Sequence, residues 1–305
     1  MKVGSRQTDR MKERPTMSYY VAAYDTEGVY PWWDKDRRQK GFSYTPEHIA
    51  EFLDGVRAVA DVHLQRNAPA SFFLVAKMLE LCGPELRAIL DHPLFDIQCH
   101  TFTHPNLKEL GEDRGALRYE LGDAKKLIED TFGRAVNGLT APGGYTDGFR
   151  GHPSILDVMW EAGYRYVRSV GMGPNGTFPS LLDQPFWYAE DGFPELLETP
   201  SHAWHDNVLT GQPAKVHWPP LLPWPYPTEM PRDAQGVYEA YAPGIDYCTQ
   251  QDLLYYMPIF HPWSIYRIDK QAAQIGLLLD HASQTMEMTS CNHIYQHILQ
   301  HPELV

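Results

Sequence analysis

The strongest constraint on the fold of this 305-residue chain is an alternation that begins at Tyr19 and continues past Val170. Short apolar runs of strand character are separated by longer stretches with apolar residues at helical spacing. Tyr19 to Tyr24, Ala70 to Val75, Phe95 to Cys99, Asn137 to Thr140 and Tyr164 to Val170 read as strands. Between them, Thr45-Pro46-Glu47 opens a helix with an N-cap and an early proline, and Ile49, Phe52, Leu53, Val56 and Val59 form its apolar face. Pro84 to Leu90, Arg114 to Phe132 and Pro153 to Glu161 follow as helices. Repeated β-α units predict an α/β fold with a parallel sheet, closed or nearly closed into a barrel.

From Phe178 to about Tyr247 the alternation breaks down, and His217 to Pro231 is too rich in proline for a helix. A loop of that length in a compact domain is usually a lid or pocket wall. Order returns with a strand over Leu253 to Phe260 and helices over Gln271 to Gln284 and Ile294 to Leu299. The expected organisation is a flexible arm over 1–17, then one catalytic barrel over 18–305 with a Pro/Trp-rich insertion at about 205–247.

Composition narrows the function classes. A net charge of -13 opposes nucleic-acid binding, which needs a basic surface. No apolar run approaches a membrane span, and Met1 to Met17 has no apolar signal core. Cys82, Cys99, Cys248 and Cys291 are widely spaced, as in a reducing compartment. These features predict a cytoplasmic protein with no nucleic-acid or membrane partner; a homo-oligomer is compatible with them.

His100 and His104 stand four apart, a spacing that lets two imidazoles converge on one metal. In a chain with 14 histidines the spacing alone says little, since random placement gives roughly 0.6 such pairs. His293, His297 and His301 repeat it on a C-terminal helix whose solvated face explains them. Position separates the two cases. His100 and His104 follow a strand directly, at the end where parallel α/β folds place their active sites. Asp25 and Glu27 close another strand at that end, and His261 a third. A carboxylate from Asp25-Thr26-Glu27 with two histidines makes a three-ligand open site of the catalytic zinc type. Cobalt, nickel and iron accept the same donors. Such a site supports hydrolysis, with a nearby carboxylate as base and a histidine as acid.

In these residues and their neighbours the chain resembles the polysaccharide deacetylase (NodB-like) family of carbohydrate esterases. The resemblance rests on Tyr24-Asp25-Thr26-Glu27-Gly28, Ala70-Ser71-Phe72-Phe73-Leu74, Cys99-His100-Thr101-Phe102-Thr103-His104-Pro105-Asn106-Leu107, Ala141-Pro142-Gly143-Gly144, Ala162-Gly163-Tyr164-Arg165-Tyr166 and Phe260-His261-Pro262. It implies a distorted (β/α) barrel and metal-dependent hydrolysis of an amide bond, usually an N-acetyl group on a sugar. It implies the Asp-x-Asp/Glu branch, with Asp25 as base, His261 as acid and Glu27, His100 and His104 as metal ligands. Gly143 would offer its N–H to the oxyanion, with Gly144 and Tyr145 beside it at the substrate. A small cyclic amide or ureide is the alternative substrate.

In this family the third motif usually opens with an arginine that orients the base, and here Thr140 stands in its place. Arg150, Arg165 or Arg168 would have to supply that group, or the chain is a catalytically silent carbohydrate binder. Among the tryptophans, Trp263, two residues beyond His261, is the expected substrate-facing one. His202 and His205 flank Trp204 as further candidates. Gly171 to Gly176 matches a dinucleotide fingerprint in letters, but Pro174 and the lack of a following helix make it a turn.

Overall fold

The computed structural model describes residues 18–34 and 41–305; the arm expected over 1–17 lies outside them. Among the described residues eleven strands form two sheets, parallel but for one edge strand. They are β1 (Tyr19–Val21), β2 (Ala23–Thr26), β3 (Ala70–Leu74), β4 (Phe95–Cys99), β5 (Gly138–Tyr145), β6 (Tyr166–Val170), β7 (Phe186–Tyr188), β8 (Phe193–Glu198), β9 (Tyr255–Tyr256), β10 (Ile259–Phe260) and β11 (Glu287–Thr289). The large sheet runs β10-β2-β3-β4-β5-β6-β8-β7, and only β7 is antiparallel to its neighbour. The small sheet is β11-β1-β9.

After β8 the chain crosses back toward β10. Ser201 N donates to Val170 O and His202 N to Met257 O, each at 2.8 Å, and His205 bridges Ile259. The ring is thus closed by irregular backbone, which gives the distorted (β/α) barrel.

Two of the expected strands are each split. Tyr19 to Thr26 turns from the small sheet into the large one at Ala22, and Tyr255 to Phe260 does the same at Met257-Pro258. Proline has no N–H to give a ladder, so the second break falls where pairing would fail. Helices also depart from expectation. The one read from Pro84 begins at Ala76 and runs to Leu90 through a non-helical Cys82. Helix Pro262–Ile268 and strand β11 have no counterpart among the expected elements. The 178–247 stretch contains β7, β8 and, from Ala234 to Gln250, a helix with Pro243 inside it. Irregular backbone is concentrated between Thr210 and Asp233.

The expected helix over 114–132 is one continuous run containing a π-turn at Tyr119–Asp123. Such insertions are frequent at functional sites, and this one positions Glu120. Among the described residues no helix is long and apolar enough to cross a membrane.

Candidate functional site

The strand ends meet at one cavity of about 570 Å³. Asp25 is the third residue of β2, and Glu27 follows the strand's last residue. Residues along β2 are buried throughout, so both carboxylates are held in the interior, at 5% and 4% exposure. His100 comes directly after β4 and is fully buried.

The loop from His100 to His104 is shaped by two non-glycine residues in the left-handed region, Thr101 at φ 65° and His104 at φ 67°. That conformation is unfavourable for residues with a Cβ and persists where the surroundings impose it. Here Glu120 imposes it. Its Oε2 accepts from Phe102 N at 2.9 Å and Thr103 N at 2.8 Å, and its Oε1 accepts from the Thr103 hydroxyl at 2.6 Å. On the other side, Thr101 O and Phe102 O accept the N–H groups of Ala76 and Lys77, seating the loop on a helix N-terminus.

Glu27 Oε2 lies 2.8 Å from His104 Nε2 and 3.5 Å from His100 Nε2. Among the described residues this is the group of three whose donor atoms all lie within 4.8 Å of one another. His100 Nδ1 is bound to the Thr140 carbonyl at 3.0 Å, which fixes a hydrogen on that nitrogen. Its Nε2 is buried with no hydrogen-bond partner among the described residues. Burial lowers the His100 pKa to about 4, with Glu27 opposing the shift. The ring is therefore neutral, with an unused lone pair facing Glu27. Burial disfavours charge on Glu27, but His104, His261 and His100 outweigh it and hold the carboxyl well below its usual range. A carboxylate and two imidazoles with an orphaned nitrogen suit a divalent metal ion.

Around this group stand two further pairs. Asp25 Oδ2 is 3.9 Å from His100 Nε2, and Asp25 Oδ1 is paired with the Arg168 guanidinium. Arg168 comes from β6, is 2% exposed, and donates from Nε to the Thr140 hydroxyl at 2.8 Å. Thr140 thus holds the arginine that the neighbouring strand supplies. Arg150 and Arg165 lie elsewhere, against Phe186 and Trp160.

On the opposite side His261 Nδ1 is 2.5 Å from Asp206 Oδ1, and its Nε2 is 3.8 Å from Glu27 Oε1. Burial opposes charging this ring, yet Asp206 and Glu27 raise its pKa. No sequence signal marks Asp206. It opens a four-residue helix, Asp206–Leu209, inside the stretch read as a loop.

Gly143 lines the cavity in the left-handed region at φ 74°, on the bulge where β5 shifts register. Gly144 packs behind it, where an added Cβ would meet Gly171 Cα at 3.1 Å. The Tyr145 hydroxyl donates to Asn106 at 3.0 Å, and the ring lies under Lys108 rather than along the cavity.

The substrate-facing expectation for Trp263 is corrected. Its side chain is 1% exposed and its indole N–H donates to Glu27 Oε1 at 3.3 Å. Helix Pro262–Ile268 is pressed inward because Gly55 lets the backbones touch; a Cβ there would come within 2.6 Å of Pro262 O. The aromatics that do line the cavity are Tyr30, Phe42, Tyr44 and Phe178. His205 also lines it, with Nε2 on Gly171 O at 2.8 Å and burial lowering its pKa to about 3. His202 instead stacks on Tyr255 and binds Asp183 O.

Residues 51–167 match the polysaccharide deacetylase family model. That span includes His100 and His104, while Asp25, Glu27 and His261 lie outside it. A comparison with curated proteins finds no match. Solved structures share the fold. One is a protein assigned as a polysaccharide deacetylase from Mycobacterium smegmatis, with TM-score 0.67 and 17% identity, covering 95% of this chain and 92% of that one. Another is Puue allantoinase, at TM-score 0.63 and 16% identity over 92% and 89%. A third, from Pseudomonas aeruginosa PAO1 and also assigned as a polysaccharide deacetylase, gives 0.62 and 16% over 93% and 90%.

Proposed function

We propose that this chain, whose residues 51–167 match the polysaccharide deacetylase family model, hydrolyses a carbon–nitrogen amide bond with a divalent metal, removing the acyl group from an N-acylated sugar. The observation that carries this reading is the meeting of Glu27, His100 and His104 within 4.8 Å beside a second, separately oriented carboxylate. These three residues would hold the ion, zinc being the best match to their donors, and when bound it supplies Lewis-acid polarisation of the scissile carbonyl.

The chain's own residues divide the proton work. Arg168 engages Asp25 Oδ1, which leaves Oδ2 to take the proton of the attacking water. Thr140 fixes Arg168 through Nε and so fixes the carboxylate's plane. Asp206 holds Nδ1 of His261, so Nε2 is the nitrogen that delivers a proton to the leaving amine. The Gly143 N–H is the candidate donor to the oxyanion. Arg168 in contact with Asp25 supports an active enzyme over a silent binder, since the orienting guanidinium has a source other than position 140.

A second reading, a small cyclic amide or ureide as substrate, is favoured by the cavity itself. About 570 Å³ walled by Tyr30, Phe42, Tyr44 and Phe178 is the size and lining of a small-molecule pocket.

The test combines elemental analysis with a turnover screen over N-acetyl sugars and cyclic amides. Wild-type protein should hold one metal and release amine and acid, whereas Asp25→Asn should keep the metal and lose turnover. Metal content unchanged in the double variant His100→Ala, His104→Ala would sink the metal assignment. A metal-loaded wild type inert toward every amide would sink the reaction.

A further inference from the structure

His205 lines the cavity beside Asp25, Glu27 and His261 but has no part in the chemistry above. Its main chain is pinned on both sides. It pairs with Ile259 in a parallel bridge, and its carbonyl accepts from Val208 N and Leu209 N at the start of helix Asp206–Leu209. The ring is fixed as well, edge-on to Phe178 with centroids 4.7 Å apart and with Nε2 2.8 Å from Gly171 O. A carbonyl oxygen can only accept, so the hydrogen is on Nε2. Burial, with His261 nearby, lowers the pKa to about 3, and the ring is neutral. Nδ1 is therefore a lone-pair acceptor held in one direction.

Among the described residues nothing uses that acceptor. An N-cap side chain ordinarily accepts from the first turn of its helix, and His205 makes no such bond. Nor is Nδ1 closed off from solvent as His100 Nε2 is. The residue is 6% exposed, and the space its ring borders is the cavity. It is not one of the three metal donors that lie within 4.8 Å of one another. A ring this hard to protonate is a poor proton shuttle near neutrality, which leaves recognition as its role.

We propose that His205 is a specificity-determining residue whose Nδ1 accepts a hydrogen bond from an N–H or O–H group on the amine side of the scissile bond. The inference rests on the reading of this cavity as the substrate site of an amide hydrolase. The side is set by His261, whose ring centroid is 6.3 Å away and which serves the leaving amine in that reading. A neutral acceptor selects a donor without asking for charge. A sugar hydroxyl and a ureide N–H both qualify, whereas an ether or N-alkyl group in the same place does not. Phe178, packed against the same imidazole, adds an apolar face beside that donor.

The test separates the two ring nitrogens in the metal-loaded protein, with N-acetylglucosamine and hydantoin as probes. His205→Gln keeps a donor for Gly171 O at the Nε2 position and removes the Nδ1 acceptor. His205→Asn does the reverse, setting a side-chain oxygen near the Nδ1 position and losing the bond to Gly171. For the probe that wild type turns over, His205→Gln should raise KM by about tenfold with a smaller change in kcat. His205→Asn should hold KM within about threefold and lower kcat instead, because Gly171 packs behind Gly144 next to the oxyanion donor. KM unchanged in His205→Gln, or raised only in His205→Asn, overturns the proposal and shows that the ring merely props Gly171. That outcome leaves the hydrolase reading standing, since wild type still turns the probe over. Where wild type binds a probe without turnover, the same pattern is expected in Kd by titration calorimetry. Failure of wild type to bind either probe overturns the reading of the cavity and this inference with it.

Discussion

The most exposed link in the proposed mechanism is Glu120, a residue that touches neither the cavity nor a metal donor. Its carboxylate takes three hydrogen bonds of 2.6 to 2.9 Å from the loop that carries His100 and His104. Hydrogen bonds to a charged group contribute about 1.5–3 kcal/mol each, and neutral ones about 0.5–1.5. Glu120→Gln keeps an oxygen for the Phe102 and Thr103 amides and loses the charge, so about 1–3 kcal/mol goes. Glu120→Ala leaves the Phe102 N–H buried and unpaired and takes the charged acceptor from Thr103, and the loss should reach about 2–5 kcal/mol. The loop also stores backbone strain at Thr101 and His104, of order 1–3 kcal/mol each, which the clamp holds in place. Once released, the loop relaxes and His104, with a side chain 21% exposed, has room to leave Glu27. Glu120→Gln should therefore weaken zinc binding by about 10–100-fold, read by competition with a chromophoric chelator. Metal-free protein should lose roughly 2 °C in Tm for each kcal/mol. A Glu120→Ala protein that binds zinc within a factor of two of wild type would refute the reasoning, for the strained loop would then hold its shape unaided.

Arg168→Met should retain metal while kcat falls by about 100-fold or more, because Asp25 loses its orienting partner; metal analysis alongside turnover checks it. Asp206→Asn should lower kcat by a similar factor, about 100-fold, by freeing the His261 ring to take the wrong tautomer, and NMR of the imidazole nitrogens reports that directly. Acid should destabilise the fold through His63, which is buried between the Tyr24 hydroxyl and Ala68 O and whose pKa burial lowers to about 4. The folded pKa lies below the unfolded value, so this contribution is complete above about pH 6.5 and fades as pH falls toward 4. It amounts to about 3 kcal/mol at full titration, and His63→Gln should flatten urea midpoints over that window relative to wild type.

Much of the barrel was legible in the sequence because its strands are buried on both faces, which leaves continuous apolar runs such as Tyr19–Tyr24 and Phe72–Val75. The same property hid the second sheet. Tyr19–Val21 and Ala23–Thr26 are equally buried, so nothing in their pattern marks the change of partner at Ala22. Pro258 did carry a signal, as a residue unable to donate within a ladder. Helix Ala234–Gln250 was concealed by its internal Pro243 and by its place after a proline-rich run. Trp263 misleads because closeness in sequence to His261 does not bring closeness to substrate; Gly55 draws its helix into the core instead.

Site residues separate along the same physical line. Asp25, Glu27, His100 and His261 lie in or just beyond strands, and strand ends can be read from local pattern. Arg168, Asp206 and Glu120 act by contacts with residues 143, 55 and 17–18 positions away, respectively, and no local pattern encodes such a meeting. Thr140 is the clearest case. Read alone, it is a missing arginine and an argument for a silent protein. In the folded chain β5 and β6 pair Thr140 directly with Arg168, and the threonine hydroxyl accepts from the guanidinium that reaches Asp25. A guanidinium placed on either of two adjacent strands can reach the same carboxylate, so a substitution at one position is informative only together with its neighbour across the sheet.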